Sequence, residues 1–161
     1  MKKKSIMMMM AAMAFVFGMS SCGSDDDAPE APLATQVAGS YSGNEVVIVD
    51  NEESSNETKT YQINKASDTS IDIVIPSVGM GMMTIPAVTV KNIPLVKDGN
   101  TIKGALANYE GTLTADDGTE KAYTVSNLVI LFSDKTVVAT FAEKYGRMPF
   151  SLYTTFTGTQ K

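Results

Sequence analysis

Alternation of apolar and polar residues, without sustained helical periodicity, is the feature that most limits what this chain can fold into. In the clearest segment Ile71, Ile73 and Ile75 share one face, while Ser70 and Asp72 lie on the other. A repeat of two residues is typical of a half-buried β-strand, because successive side chains of a strand point to opposite faces. The chain beyond its N-terminal segment is therefore predicted to be all-β.

About eight strands are predicted between residue 37 and the C-terminus, most of them joined by short turns. They are expected at residues 41–49, 58–64, 69–75, 84–96, 101–107, 109–115, 122–132, 136–142 and 150–156, with 101–115 forming one bent strand or two. The polar run 50–57 is interpreted as a loop. This spacing favours an antiparallel up-and-down barrel, since closure removes exposed sheet edges. A two-sheet sandwich is the alternative.

Two of the predicted strands depart from simple alternation. In the first, the apolar parity shifts between Val90 and Ile93, which predicts a β-bulge near Lys91 and Asn92. The second, 122–132, is apolar on both faces. One face of this strand is predicted to carry Val125, Val129 and Leu131, and the opposite face Leu128, Ile130 and Phe132.

The N-terminal segment has the layout of a secretory signal. Three lysines at 2–4 precede a short apolar run at 6–16, and small residues precede Cys22, the only cysteine in the chain. The run is too short for a transmembrane helix, which needs ~20 apolar residues. The segment resembles a bacterial lipobox. That resemblance implies a signal peptide at 1–21 and a lipidated Cys22 that holds the protein on a membrane. The stretch after the cysteine lacks periodicity and contains Pro29 and Pro32, which predicts a flexible acidic and Pro-rich tether at 22–36 before a folded domain at 37–161.

Three consecutive aspartates, Asp25, Asp26 and Asp27, follow the cysteine. They are similar to the surface-export signal of Bacteroidetes lipoproteins, which implies display at the cell surface from the outer membrane. The alternative is that the charges only solvate a spacer, with the protein on the periplasmic face.

The charge balance excludes some classes of partner. From residue 37 onward there are 14 acidic and 10 basic side chains, a net charge of −4, and no basic cluster. Binding to nucleic acid or to an anionic membrane patch needs clustered Lys and Arg, so no nucleic-acid partner is predicted. About 125 residues suffice for one domain with a real core.

Candidate catalytic and metal-binding residues are scarce in this sequence. The chain has no histidine and its one cysteine lies in the lipobox, so neither a His-based triad nor a His-ligated metal site can form. The acidic residues are mostly expected in solvated turns: Asp50, Glu52, Glu53, Asp98, Asp116 and Asp117. We therefore predict no catalytic residues, no metal site, no cofactor and no enzymatic activity.

Met80, Met82 and Met83 form the one unusual cluster, set between glycines. Methionine repacks easily, so these side chains are candidates for an adaptable lip that binds an apolar ligand. The favoured interpretation is that they cap one end of the core. Soft-metal binding through thioethers is a third, weaker alternative.

Three short motifs resemble a known family. They are the opening Val37-Ala38-Gly39-Ser40-Tyr41-Ser42-Gly43, the central Thr84-Ile85-Pro86-Ala87-Val88-Thr89-Val90 with Asn92-Ile93-Pro94-Leu95, and the closing Phe156-Thr157-Gly158-Thr159. In order and spacing they resemble the calycin-like β-barrel domain of Bacteroidetes lipoproteins. The resemblance implies a lipocalin-like barrel, although Gly39-Ser40-Tyr41 replaces the Gly-x-Trp signature of lipocalins and the chain has no tryptophan.

Two functions remain open at this point. The leading expectation is a non-catalytic interaction or binding protein at the outer membrane, contacting a surface protein or a glycan. The alternative is a lipocalin-like carrier of a small apolar or amphipathic ligand. A cavity inside the barrel would favour the carrier, whereas an interior filled by side chains would favour the interaction protein.

Overall fold

The computed structural model describes residues 29–79, 84–115 and 117–161. The described residues form one short helix and eight strands: α1 Leu33–Val37, β1 Gly39–Val49, β2 Glu52–Lys65, β3 Ser70–Ile75, β4 Val88–Asp98, β5 Thr101–Thr114, β6 Glu120–Ser133, β7 Thr136–Tyr145 and β8 Leu152–Gln160. Each strand pairs antiparallel with the next in the chain, and β8 pairs with β1. The fold is a closed up-and-down barrel, which confirms the predicted all-β class and excludes the sandwich.

Helix α1 lies at one end of the barrel, here called the helix end, with the turns after β2, β4 and β6. The Ala34 backbone N–H donates to the Asp68 carbonyl (3.2 Å), and the Tyr41 hydroxyl donates to the Val37 carbonyl (2.9 Å). Residues 33–36 were expected to belong to an extended tether, but burial of the apolar Ala34 and Val37 against the barrel stabilises a helix there. The opposite, loop end carries the described residues of the other connections, at 50–51, 76–79, 84–87, 115, 117–119 and 146–151.

The predicted bulge in β4 is confirmed. Ile71 pairs with Ile93 but Ile73 pairs with Val90, so β4 has one more residue than β3 across this interval. Asn92 adopts a left-handed conformation (φ 56°), and its backbone N–H donates to Asp72 Oδ1 (2.8 Å). The bulge keeps apolar residues on the inner face of β4 on both sides of the irregularity.

A second bulge, in β6, makes the predicted grouping of its faces wrong. Asn127 has φ 54°, and the register with β7 shifts between Ser126 and Val129. Val125 therefore points inward together with Leu128 and the following alternate residues. A strand with apolar residues on both faces does not reveal such a shift, because no change of polarity accompanies it.

The predicted loop at 50–57 is also wrong. Only Asp50 and Asn51 form the turn, both with positive φ (50° and 66°), and β2 begins at Glu52. The polar residues that follow pair with β1 and are mostly exposed, because sheet pairing overrides their weak intrinsic preference for strands. Residues 101–114 form one continuous strand, which resolves the open alternative there.

Aromatic side chains pack much of the barrel interior. Tyr61 stacks on Phe156 with ring centroids 3.9 Å apart, and Tyr41 packs against Phe132 nearer the helix end. Around them the buried aliphatic residues of the inner face form one continuous core. In the part of the chain that the structure describes, no helix combines the length and apolar character needed to cross a membrane.

Candidate functional site

Two glutamates lie on the inner face of the barrel wall. Glu45 on β1 and Glu143 on β7 are only 1% and 3% exposed. Glu45 alternates in phase with buried Val47, and Glu143 with buried Phe141, so the same periodicity that builds the core turns both carboxyl groups inward. Sequence analysis placed the acidic residues mostly in turns and missed this pair. The alternation of each strand is the signal that could have found it.

The hydrogen bonding of these carboxyl groups is incomplete. The Tyr61 hydroxyl donates to Glu45 Oε2. Among the described residues, Glu45 Oε1, both carboxyl oxygens of Glu143 and Thr154 Oγ1 are buried without a hydrogen-bond partner. A buried polar atom without a partner destabilises the folded state by about 1–3 kcal/mol, and native structures contain few of them. This cluster is therefore the most unusual feature of the interior.

Burial and mutual repulsion change the protonation of the cluster. Burial, and secondly the negative charge of Glu45, raise the pKa of Glu143 to about 8. Burial also raises the pKa of Glu45, against which the Tyr61 hydrogen bond acts. The pKa of Tyr61 is raised well above its usual range, first by burial and then by Glu45. At pH 7 the Glu143 carboxyl group is thus mainly protonated.

A cavity of about 250 Å³ lies at the loop end. It exists because β3 ends at Ile75 and pairs with β2 only between Gln62 and Lys65. The part of β2 nearer the loop end is paired with β1 but has no strand on its other side. Lys59 Nζ spans part of this interval by donating to the Ser77 carbonyl (3.2 Å). The cavity is lined by Val47, Val49, Ser54, Ser55, Glu57, Val78, Gly79, Met148 and Leu152.

The polar cluster borders this cavity. Val47 and Leu152 line the cavity, and their register partners are Thr154 and Glu143 respectively. Glu57, a third lining residue, is the register partner of Glu45. Glu45 and Glu143 do not line the cavity themselves, but each is the direct cross-strand neighbour of a residue that does.

A second depression of about 610 Å³ lies on the surface near the same end. Its lining includes Thr84, Glu120, Tyr145 and the basic residues Lys121 and Arg147. Lys121 Nζ lies 5.9 Å from the centroid of the Tyr145 ring, within the range of a cation–π contact. This groove combines a cation with an aromatic face but has no buried polar group, so the interior cluster is the stronger candidate.

Several residues predicted from the sequence lie outside the described ranges. These are Cys22, the aspartates 25–27, and Met80, Met82 and Met83, so their assigned roles stay predictions. Val78 and Gly79, which line the cavity, immediately precede the methionine cluster in the chain. Among the described residues, no three His, Cys, Asp or Glu side chains are grouped so that they could hold a metal ion.

Comparison with known proteins identifies relatives by sequence and by fold. Residues 37–159 match the family described as calycin-like beta-barrel domain. A crystal structure of a "putative outer membrane protein" from Bacteroides fragilis superposes with a TM-score of 0.60 at 22% sequence identity, covering 81% of this chain. The match spans about half (53%) of that protein's length, and at this identity it establishes only a shared fold. The comparison with curated proteins returned no match.

Proposed function

We propose that this chain, which belongs to the calycin-like β-barrel domain family, is an envelope lipoprotein whose barrel binds a small amphipathic ligand without catalysis. The family match confirms the resemblance indicated by the three sequence motifs. The observation that carries the binding proposal is the loop-end cavity, whose apolar walls border buried carboxyl oxygens without partners. Ligand sites typically combine apolar walls with a few convergent polar groups.

The size of the cavity limits the ligand. A cavity of about 150 Å³ holds benzene, so about 250 Å³ accommodates a ring with a short polar substituent. Typical pockets for drug-sized ligands are larger, at roughly 300–1,000 Å³. Side chains occupy the interior towards the helix end, so the barrel resembles a shallow cup more than a deep lipocalin pocket. Mass spectrometry of small molecules that copurify with the natively expressed protein would identify the ligand.

The cavity can be tested by filling it. Ser55 lines the cavity on the inner face of β2, and we expect Ser55→Phe to weaken binding of a neutral probe, benzyl alcohol, roughly ten-fold or more. Thr58→Phe is the matched control, because Thr58 is exposed on the same strand. An NMR titration of the purified protein measures both affinities. Equal affinities in wild type and Ser55→Phe, or no binding by wild type, would refute the proposed function.

The proposed location rests on the N-terminal segment. We propose that Cys22 carries the lipid anchor and that Asp25, Asp26 and Asp27 direct the protein to the outer surface of the outer membrane. The supporting features are the signal layout and the absence of any other cysteine. An outer-membrane location also agrees with the description of the Bacteroides fragilis protein of similar fold.

Cell fractionation and protease treatment of intact cells separate the two parts of this proposal. Cys22→Ala is expected to release the protein from the membrane fraction, because the lipid on this cysteine is the proposed attachment to the membrane. Replacing the three aspartates by alanine is the matched control. It should leave the protein membrane-bound but protected from external protease. A membrane-bound Cys22→Ala protein would contradict the anchor, and undiminished digestion of the aspartate variant would contradict the export signal.

A further inference from the structure

We infer that the ligand carries a protonated amine, which is held by the carboxyl groups of Glu45 and Glu143 next to the loop-end cavity. This inference rests on the proposed function, because it names the chemical class that the same cavity selects.

The first argument is the match between donors and acceptors. Three carboxyl oxygens are buried without a partner among the described residues, namely Glu45 Oε1 and both oxygens of Glu143. An ammonium group presents three N–H donors and no acceptor. A hydrogen bond between an ammonium and a carboxylate is charge-assisted and roughly twice as strong as a neutral one. A bound primary amine would therefore satisfy the atoms that the protein leaves unsatisfied.

The second argument is the sign of the charge around the cavity. Glu57 lines the rim, and its Oε2 lies 2.8 Å from Lys59 Nζ, so the lysine charge is already paired. Glu45 and Glu143 have no cationic side chain bonded to them among the described residues. The titratable side chains of the cluster itself, Glu45, Glu143 and Tyr61, are all acids, so the cluster can be neutral or negative but not positive. A carboxylate ligand, such as a fatty acid, would be repelled by an ionised Glu45 and would offer no donor to Glu45 Oε1.

The third argument concerns the rest of the ligand. The cavity has apolar walls, formed by Val47, Val49, Val78, Met148 and Leu152. Burying apolar surface contributes about 25 cal/mol per Å², which favours a hydrophobic body over a small polar amine. The expected ligand is a compact amine with an aromatic ring or a short branched hydrocarbon group.

Protonation links the amine to Glu143 specifically. Glu143 is mainly protonated at pH 7, and an ammonium group beside it would favour the ionised form, so binding should release a proton. The titratable groups facing it are Glu45 on β1 and Tyr61 on β2, with the Glu57–Lys59 pair at the rim. The neighbouring inner positions on β6 and β8 are Val125, Leu152 and Thr154, which do not titrate.

Three probes of nearly equal shape test the inference on the purified full chain at pH 7: benzylamine, benzyl alcohol and benzoate. We expect wild type to bind benzylamine roughly ten-fold or more tightly than benzoate. Calorimetry in two buffers of different ionisation enthalpy should show proton release on benzylamine binding. Glu143→Gln should abolish the proton release and reduce the preference for the amine. Glu53→Gln, an exposed change of equal charge, should leave both unchanged.

The outcomes distinguish the inference from the proposed function. If wild type binds benzyl alcohol but binds benzoate as tightly as benzylamine or more tightly, the inference of an amine ligand is wrong. The proposal that the cavity binds a ligand would still stand. Amine binding without proton release, or with release that persists in Glu143→Gln, would overturn the assignment to this glutamate. If none of the three probes binds wild type, both proposals fail. The comparison of the three probes on wild type does not depend on how well any variant folds.

Discussion

Gly43→Ala is expected to lower the free energy of unfolding by about 3 kcal/mol or more, because the added methyl group would collide with the backbone of the neighbouring strand. Gly43 pairs with Gly158 where β1 and β8 close the barrel. A Cβ atom on Gly43 would lie 2.0 Å from the Thr157 carbonyl oxygen and 2.4 Å from Gly158 Cα. These are main-chain atoms held by a closed hydrogen-bonded sheet, so no side-chain rotation can relieve the contact.

Gly104→Ala is the matched control for this prediction. A Cβ atom there would lie 3.2 Å from Ile93 Cγ2 and 3.3 Å from Leu95 Cδ2, which are side-chain methyl groups that can shift. We expect it to change the free energy of unfolding by ~1 kcal/mol or less. Urea denaturation of wild type and both variants makes the measurement. Equal effects of the two substitutions would show that the β1–β8 closure is not as tightly constrained as the geometry requires.

The second large effect is a loss of stability as the pH rises. The pKa of Glu143 is about 8 in the folded state, against 4.5 as its ordinary value. The folded protein therefore binds more protons than the unfolded chain between these values, and its stability must fall as the pH increases through that range. The contribution of Glu143 is fully present below about pH 4.5. It is lost progressively as the pH rises from there through about 8, where the loss is nearly complete, and amounts to roughly 3–5 kcal/mol.

Glu143→Gln should remove most of this pH dependence, because the amide cannot ionise. We expect the variant to be more stable than wild type at pH 8, and the two to be closer at pH 5. Glu45, whose pKa is also raised by burial, should leave a residual slope of the same sign in the variant. Denaturation curves at several pH values test this, with Glu53→Gln as the control for net charge. Parallel pH profiles of wild type and Glu143→Gln would contradict the assignment.

Glu143 also connects stability with the proposed ligand. A group that destabilises the folded protein when it ionises gains a counter-charge when an ammonium group binds. Any ligand that binds the folded state stabilises it according to its concentration and affinity. The stability lost at high pH should therefore be recovered to a greater extent by an amine than by the matched alcohol at equal concentration.

Much of the fold followed from local patterns in the sequence. Alternation of Ile71, Ile73 and Ile75 identified β3, and the parity shift before Ile93 located the bulge that places Asn92 at positive φ. Both are properties of one strand, so the sequence of that strand is sufficient to predict them. The bulge at Asn127 could not be predicted in this way, since the strand is apolar on both sides of it.

The candidate site was only partly accessible from the sequence. Glu45 and Glu143 each lie in phase with buried apolar neighbours, so their inward orientation could be inferred strand by strand. That they border one cavity could not, because 98 positions separate them in the chain. The cavity itself results from the unequal lengths of β2 and β3, and the predicted polar loop at 50–57 concealed that difference.

By itself the sequence determined the strand class, the direction in which most inner-face side chains point, and the N-terminal features on which the anchor prediction depends. The strand class and the direction of the side chains depend on residues close together in the sequence. Successive side chains of a strand point to opposite faces whatever the rest of the fold is. Tertiary structure decided the closure between Gly43 and Gly158 and the gathering of Glu45, Tyr61 and Glu143 in one interior. Closure of the barrel determines which distant strands share one interior. Burial in that interior raises the pKa of the Glu143 carboxyl group to about 8.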